Sequence, residues 1–152
     1  MKSLARESDL AEIQRRLKSV TTESQRRWGR MSVHQMICHL SDSFLAVTGR
    51  RPASMASGPL QRTVIKWTAL YVPLRWPPDL PTRPEVDQAR GGTAPVDFAA
   101  DVAQLETLLT LITSDSRCFD GQQHPIFGPM SRSAWLRWAY LHMDHHLRQF
   151  GS

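Results

Sequence analysis

The stretch Trp135-Leu-Arg-Trp-Ala-Tyr-Leu-His142-Met-Asp-His145-His146-Leu-Arg-Gln149-Phe150 reads as one helix that carries three histidines within about a turn. Successive helical residues are about 100° apart, so His142 and His146 stand on one face, a single turn from each other. That is the spacing at which two imidazoles can hold one metal ion. Trp135 and Ala139 continue the same face in one direction, Gln149 and Phe150 in the other, so the pair lies on the line that should be pressed into a core. A buried imidazole is costly unless a carboxylate, a backbone carbonyl, a water or a metal satisfies it. His145 points about 100° away and competes with His146 for the second ligand position; His146 is the expected ligand, with His145 solvated or supporting from outside.

Working back along the chain, the spacing predicts three further helices. The first spans Asp9 to Val20, opened by Asp9 with Glu12 in a capping-box-like arrangement and striped by Leu10, Ile13, Leu17 and Val20. The second runs from Val33 to Thr48, with Ser32 as cap, Gln35 at the reciprocal position and Gly49 as stop. Its apolar stripe is Val33, Met36, Ile37, Leu40, Phe44 and Val47, and His39 lies on the shoulder of that stripe, able to reach a neighbouring helix. The third starts at Asp97 and repeats Phe98, Val102, Leu105, Leu109 and Ile112. Ser131 is the expected cap of the histidine helix.

Two irregular stretches separate these helices. Gly49 to Pro59 is a loop of Gly, Pro, Ser and Arg, followed by a short helix in which Leu60, Val64, Trp67 and Tyr71 share a face until Pro73. Pro73 to Pro95, with six prolines and Gly91-Gly92, has no periodicity; the embedded Trp76 reads as part of a cover laid over the surface. Ser114 to Met130 is the second irregular stretch. No sustained alternation competes with the helices, so the fold class is all-α, a four-helix bundle with one short extra helix in the long connection.

Composition narrows the classes. A chain of 152 residues is expected to be a single domain over 1–152 able to bury a core without disulfides or structural metal. There is no apolar N-terminal run and no window long enough for a bilayer, and Cys38 and Cys118 are too few for a disulfide framework; a cytoplasmic protein with no membrane contact is the expectation. The net charge of +5 comes from scattered arginines with no basic stripe interleaved with aromatics, which argues against nucleic-acid binding. A small-molecule substrate is the expected partner, and a homodimer is the expected form of any self-association.

Levels along the helices constrain topology. At 1.5 Å per residue, His39 lies roughly 10 Å from the start of the second helix, and the His142–His146 pair roughly 18 Å from the start and 9 Å from the end of the fourth. The three meet at one level when these two helices are antiparallel. The long connection before the third helix allows that through a crossover, giving an up-down-down-up order.

The run Trp28-Gly-Arg-Met-Ser-Val-His-Gln-Met-Ile-Cys-His39-Leu-Ser-Asp, with His142-Met-Asp-His-His146-Leu-Arg-Gln149 far downstream, resembles the DinB/YfiT-like superfamily of metal-binding helical bundles. His124-Pro-Ile-Phe-Gly-Pro-Met and the ending His-His-Leu-Arg-Gln-Phe-Gly resemble an uncharacterised branch of it, a domain of unknown function. The resemblance covers nearly the whole chain. It implies an up-down-down-up four-helix bundle with a divalent metal, nickel or zinc, on His39, His142 and His146. Some members of the superfamily are thiol-dependent transferases or isomerases that use bacillithiol or mycothiol. The His-Arg-x-Gln ending usual there is His146-Leu-Arg148-Gln149 in this chain.

Three histidines on rigid helices leave a coordination position open, the arrangement of a catalytic rather than a structural metal. The expected function is a metal-dependent S-transferase, isomerase or hydrolase, with a low-molecular-weight thiol as a possible second cofactor; the alternative is a non-catalytic metal-bearing bundle acting as a binding module. No catalytic general base is assigned: Asp42 and Asp144 lie off the histidine faces, and Asp144 is expected to orient an imidazole from outside or meet solvent. His34 and His124 read as surface or loop histidines, Cys38 as a small buried hydrophobe, and the tryptophans as core. The pocket is expected between the Trp76 cover and the His124–Met130 loop, with Arg75, Arg83 and Arg90 available to an anionic ligand.

Overall fold

The computed structural model describes residues 1–152, and the chain in it is all-helical. Five α-helices follow one another: α1 (Glu7–Lys18), α2 (Val33–Val47), α3 (Lys66–Tyr71), α4 (Phe98–Ser114) and α5 (Arg132–Gln149). A π-helical turn, Gln61–Ile65, runs into α3, and a 3-10 turn, Pro84–Val86, lies between α3 and α4. The sole ladder-type pairing is an isolated bridge from His124 to Gly128. No helix is long and apolar enough to cross a membrane.

Three helix starts sit where their polar caps are. Ser32 accepts from the Gln35 N–H while the Gln35 side chain accepts from the Ser32 N–H, closing both halves of a capping box. Asp97 caps α4 through Ala100 and Ser131 caps α5 through Ala134. Gly49 ends α2 at a φ of 71°, a conformation that costs a side chain strain. The first helix departs from the expectation. It begins at Glu7 without a side-chain cap, and Asp9 lies inside it, buried, accepting from the Ser3 N–H at 3.0 Å and paired with Lys2 at 3.1 Å. The Ser3–Arg6 turn folds back onto the first helical turn and takes the carboxylate that the local pattern assigns to capping.

The core is built from the expected stripes. Ile13 and Leu17 of α1, Met36, Ile37, Leu40 and Phe44 of α2, Leu105, Leu109 and Ile112 of α4, and Trp135, Ala139 and Met143 of α5 are all closed to solvent. Each of the larger of these side chains contributes on the order of 1.5–3 kcal/mol on burial. Helix α2 packs along α4 and α1 along α5. The first and last segments touch at Leu4 N–H to Leu136 O (3.1 Å), at Arg16 to Asp144 (2.8 Å) and at Ser19 to Ser152 (2.8 Å). Asp144 orients no imidazole; half-buried, it is held between Arg16 and Arg148. Phe44 of α2 meets Trp138 of α5, and Arg132 at the start of α5 donates to the Asp115 and Thr113 carbonyls at the end of α4.

The short helix turns the other way from its pattern. Leu60, Val64, Trp67 and Tyr71 are exposed, while Leu70 is buried and its carbonyl accepts from Arg137 Nε at 2.9 Å. The Arg137 bond docks α3 on α5 through the Leu70 side, which leaves the Leu60, Val64, Trp67 and Tyr71 side chains outside. Downstream, Asp42 anchors the connection. Its carboxylate, almost wholly buried on α2, accepts from the Thr93 N–H (2.7 Å), Thr93 Oγ1 (2.7 Å) and Gln88 Nε2 (2.9 Å) and pairs with Arg51 at 3.1 Å. These bonds hold the 84–93 segment against α2, and Val86 is its one buried apolar side chain.

Candidate metal centre

His39 of α2 meets His142 and His146 of α5 in the interior, each ring under a tenth exposed. His39 Nε2 and His142 Nε2 are 3.1 Å apart, and one nitrogen from each of the three rings lies within 4.8 Å of the other two. The tautomers follow from the outer partners. His39 Nδ1 is 2.7 Å from the Val86 carbonyl, which can only accept, so the proton is on Nδ1 and the Nε2 lone pair turns inward. Gln149 gives its amide N–H₂ to the Trp28 carbonyl at 2.9 Å, which leaves Oε1 to accept from His146 Nδ1 at 3.0 Å. His146 Nε2 is therefore also a lone pair. Gly29 makes this arm possible: its φ is 78°, and a Cβ there would stand 2.5 Å from Gln149 Nε2.

His142 completes the set without an outer partner, its buried Nδ1 having none. It is flanked by Trp138 and Trp76, with ring centroids at 5.1 and 6.3 Å. With the His39 tautomer set by Val86, the 3.1 Å contact is satisfied internally only if His142 carries its proton on Nε2, which strands the Nδ1 lone pair. A cation between the rings would accept all three inner lone pairs, leaving the His142 Nδ1 proton as the one outer N–H without a partner; a tetrahedral site with bonds of about 2.0–2.1 Å has ligand-to-ligand edges of roughly 3.4 Å, close to the 3.1 Å contact. Burial drives all three rings toward the neutral form; neighbouring imidazoles add to it at His142 and His146, which shift furthest, while the Val86 bond opposes it at His39. Neutral imidazoles with lone pairs pointed inward are the form a divalent ion needs.

His145 is buried as well, contrary to a solvated reading; its ring packs edge-on against His146 and Trp28 and tilted against Trp76, and its Nδ1 has no partner. A cleft of about 580 Å³ opens onto His145, His146 and Gln149. One wall is Trp28 to Met31, the other is residues 79–82 and 87–90 of the Pro-rich connection. The cover is thus where the composition puts it, and Trp76 lies against the histidines, held by its Nε1–H on the Ala69 carbonyl. The second wall differs from the expected one. The His124–Met130 loop packs instead at the other end of α5, where His124 is buried among Phe127, Trp135 and Trp138 and its Nδ1 accepts from the Ile126 and Phe127 N–H groups. Of the three arginines, only Arg90 lines the cleft; Arg83 bonds to Ser54 and Arg75 is exposed. Val86 and Gly29 were not singled out from the sequence, and the roles of Gln149 and Asp42 were not read there, because Val86, Gly29 and Asp42 act through partners more than 40 residues away and Gln149 is oriented by the Trp28 carbonyl 121 residues away.

These features define an all-helical protein with a buried three-histidine group able to hold a metal ion. The chain belongs to the family of proteins of unknown function termed DUF1569, whose model matches residues 2–152. No curated protein and no solved structure matches it significantly.

Proposed function

We propose that this chain is a divalent-metal enzyme of the DinB/YfiT-like kind, with the ion held by the Nε2 atoms of His39, His142 and His146 in an up-down-down-up four-helix bundle. The observation that carries the proposal is the outer hydrogen bonding: Val86 O and Gln149 Oε1 take the Nδ1 protons of two rings and aim their lone pairs at the third. Metal-ligating histidines are characteristically oriented in this way by a carbonyl or carboxylate behind them. The topology is supported by the pairing of Leu4 with Leu136 and Arg16 with Asp144 on one side, and of Phe44 with Trp138 and His39 with His142 on the other.

A nickel or zinc ion there would favour the deprotonated form of a thiol or water and supply a nucleophile at neutral pH. The protein's own residues do the rest. Trp76 and Trp138 cover His142 and keep bulk water from one side of the group. The cleft delivers a small electrophile to the His146 side, between Trp28 and the 87–90 wall. Arg30 and Arg90 line it and suit the carboxylate of a low-molecular-weight thiol or an acidic substrate. The test is a metal analysis of the protein and its His142→Ala variant, followed by a screen of thiols against maleyl, epoxide and chloronitro electrophiles with nickel-loaded, zinc-loaded and metal-free protein. One ion per three-histidine group and metal-dependent turnover are expected. Tight metal binding with no turnover in any pairing would leave a metal-bearing binding module in place of an enzyme.

A further inference from the structure

Helix α2 presents a second group of ligating atoms, on the side facing α4. His34 and Cys38 are one turn apart on α2, and Asp101 of α4 stands between them, its Oδ2 2.6 Å from His34 Nε2 and 3.5 Å from Cys38 Sγ. One nitrogen, one sulfur and one oxygen thus lie within 4.8 Å of one another. Beside them is a small cavity of about 10 Å³, room for roughly one water, lined by Cys38, Ser41, Asp42, Thr93, Asp101 and Gln104. Ser41, which lines that cavity, is only 5% exposed, and its Oγ has no hydrogen-bond partner. A buried hydroxyl without a partner costs about 1–3 kcal/mol, so this one points to something the cavity receives.

We propose that His34, Cys38 and Asp101 form a second divalent-metal site, selective for zinc, that clamps α2 to α4 with a water from the Ser41 cavity as fourth ligand. The donor set of nitrogen, thiolate and carboxylate suits zinc, whereas the three-imidazole group offers no sulfur. The geometry needs little adjustment. A tetrahedral zinc site has ligand edges of roughly 3.4–3.8 Å; the Cys38–Asp101 edge is already there, and the short His34–Asp101 edge opens by rotation of two side chains that are each about a fifth exposed. On binding, the metal–sulfur bond forms as the Cys38 S–H breaks, and the thiol proton leaves to solvent.

Cobalt(II) titration of the chelator-stripped full chain tests this, because a thiolate ligand adds a near-ultraviolet sulfur-to-cobalt charge-transfer band that imidazoles cannot give. Two cobalt ions per chain are expected, one with the band. Cys38→Ser should lose the band and one equivalent; His142→Ala should lose one equivalent and keep the band; Cys118→Ser should change neither. Asp101→Asn, at a partly exposed position, guards against misfolding of the buried Cys38 variant and should weaken the band-forming step by roughly tenfold or more. Absence of the band in the unmodified protein, or its survival in Cys38→Ser, overturns the second site whatever happens at the three histidines. A single, band-forming equivalent in the unmodified protein that His142→Ala does not remove overturns the first site and leaves this one standing.

Discussion

His124 and the His39–His142–His146 group are both buried along α5, yet their polar atoms are disposed in opposite ways. His124 gives its Nδ1 lone pair to two backbone N–H groups of its own loop and stacks its ring on Phe127. It is an imidazole whose acceptor the protein satisfies. In the other group the outer nitrogens of His39 and His146 are satisfied and the inner ones are turned on each other, so the unmet need lies among the inner nitrogens and at His142 Nδ1. Burial alone therefore does not mark a ligand; the direction of the remaining lone pair does.

The sharpest way to break this contrast is to truncate one ring from each environment. His142→Ala or His146→Ala should lower metal affinity by more than about a hundredfold, beyond the ~10–100-fold of an outer partner, as read by competition with a chelator. His124→Ala should leave affinity unchanged and cost about 2–4 kcal/mol of stability in urea, from lost packing against Trp135 and Trp138 and two orphaned N–H groups. Equal metal retention by all three variants would dissolve the distinction.

Next in size is the arm behind His146. Gln149→Ala removes the acceptor of the Nδ1 proton and should weaken the ion by roughly 10–100-fold with little change in fold. Gly29→Ala should have the same sign, because its Cβ would displace the Gln149 amide from the Trp28 carbonyl. Affinity unmoved in both would mean that the outer bond does not orient the ring.

A pH series sharpens the comparison further. Burial holds His124 at about 3, against 6.5 in the unfolded chain, with the charge of Lys66 adding to it. The folded state thus refuses a proton that the unfolded state accepts. The contribution is complete above pH 6.5 and is lost as pH falls from there toward 3, by up to about 1.4 kcal/mol per pH unit. Replacing His124 by phenylalanine should flatten the metal-free stability profile below pH 6.5 by that slope; an unchanged slope would show that the ring is protonated while folded.

The smallest effect expected is at His145. It touches His146 edge-on and lines the cleft but lies outside the converging group, so His145→Ala should change metal affinity less than about tenfold. A loss as large as that of His146→Ala would exchange the roles of the two neighbours.

Much of this arrangement was legible in local sequence. The caps at Ser32, Asp97 and Ser131, the apolar stripes of α2, α4 and α5, and the one-turn spacing of His142 and His146 depend on residues within four positions of one another, and helical geometry turns such spacings directly into faces. The level of His39 along α2 added a long-range match because helical rise is constant. What escaped were residues whose role is set by where the long connection lands. Asp42 became the buried anchor of Thr93 and Gln88, Val86 lent its carbonyl to His39, and Leu60, Val64 and Trp67 stayed outside.

From local spacing, then, the chain determined its four long helices, their buried faces and the three imidazoles that share a level. The tertiary structure alone decided which way each imidazole points its lone pair. That choice belongs to a carbonyl 47 residues from His39 and to a glutamine amide held by a carbonyl 121 residues away, and such pairings exist only after the connection has folded over α2 and the end of α5 has met Trp28.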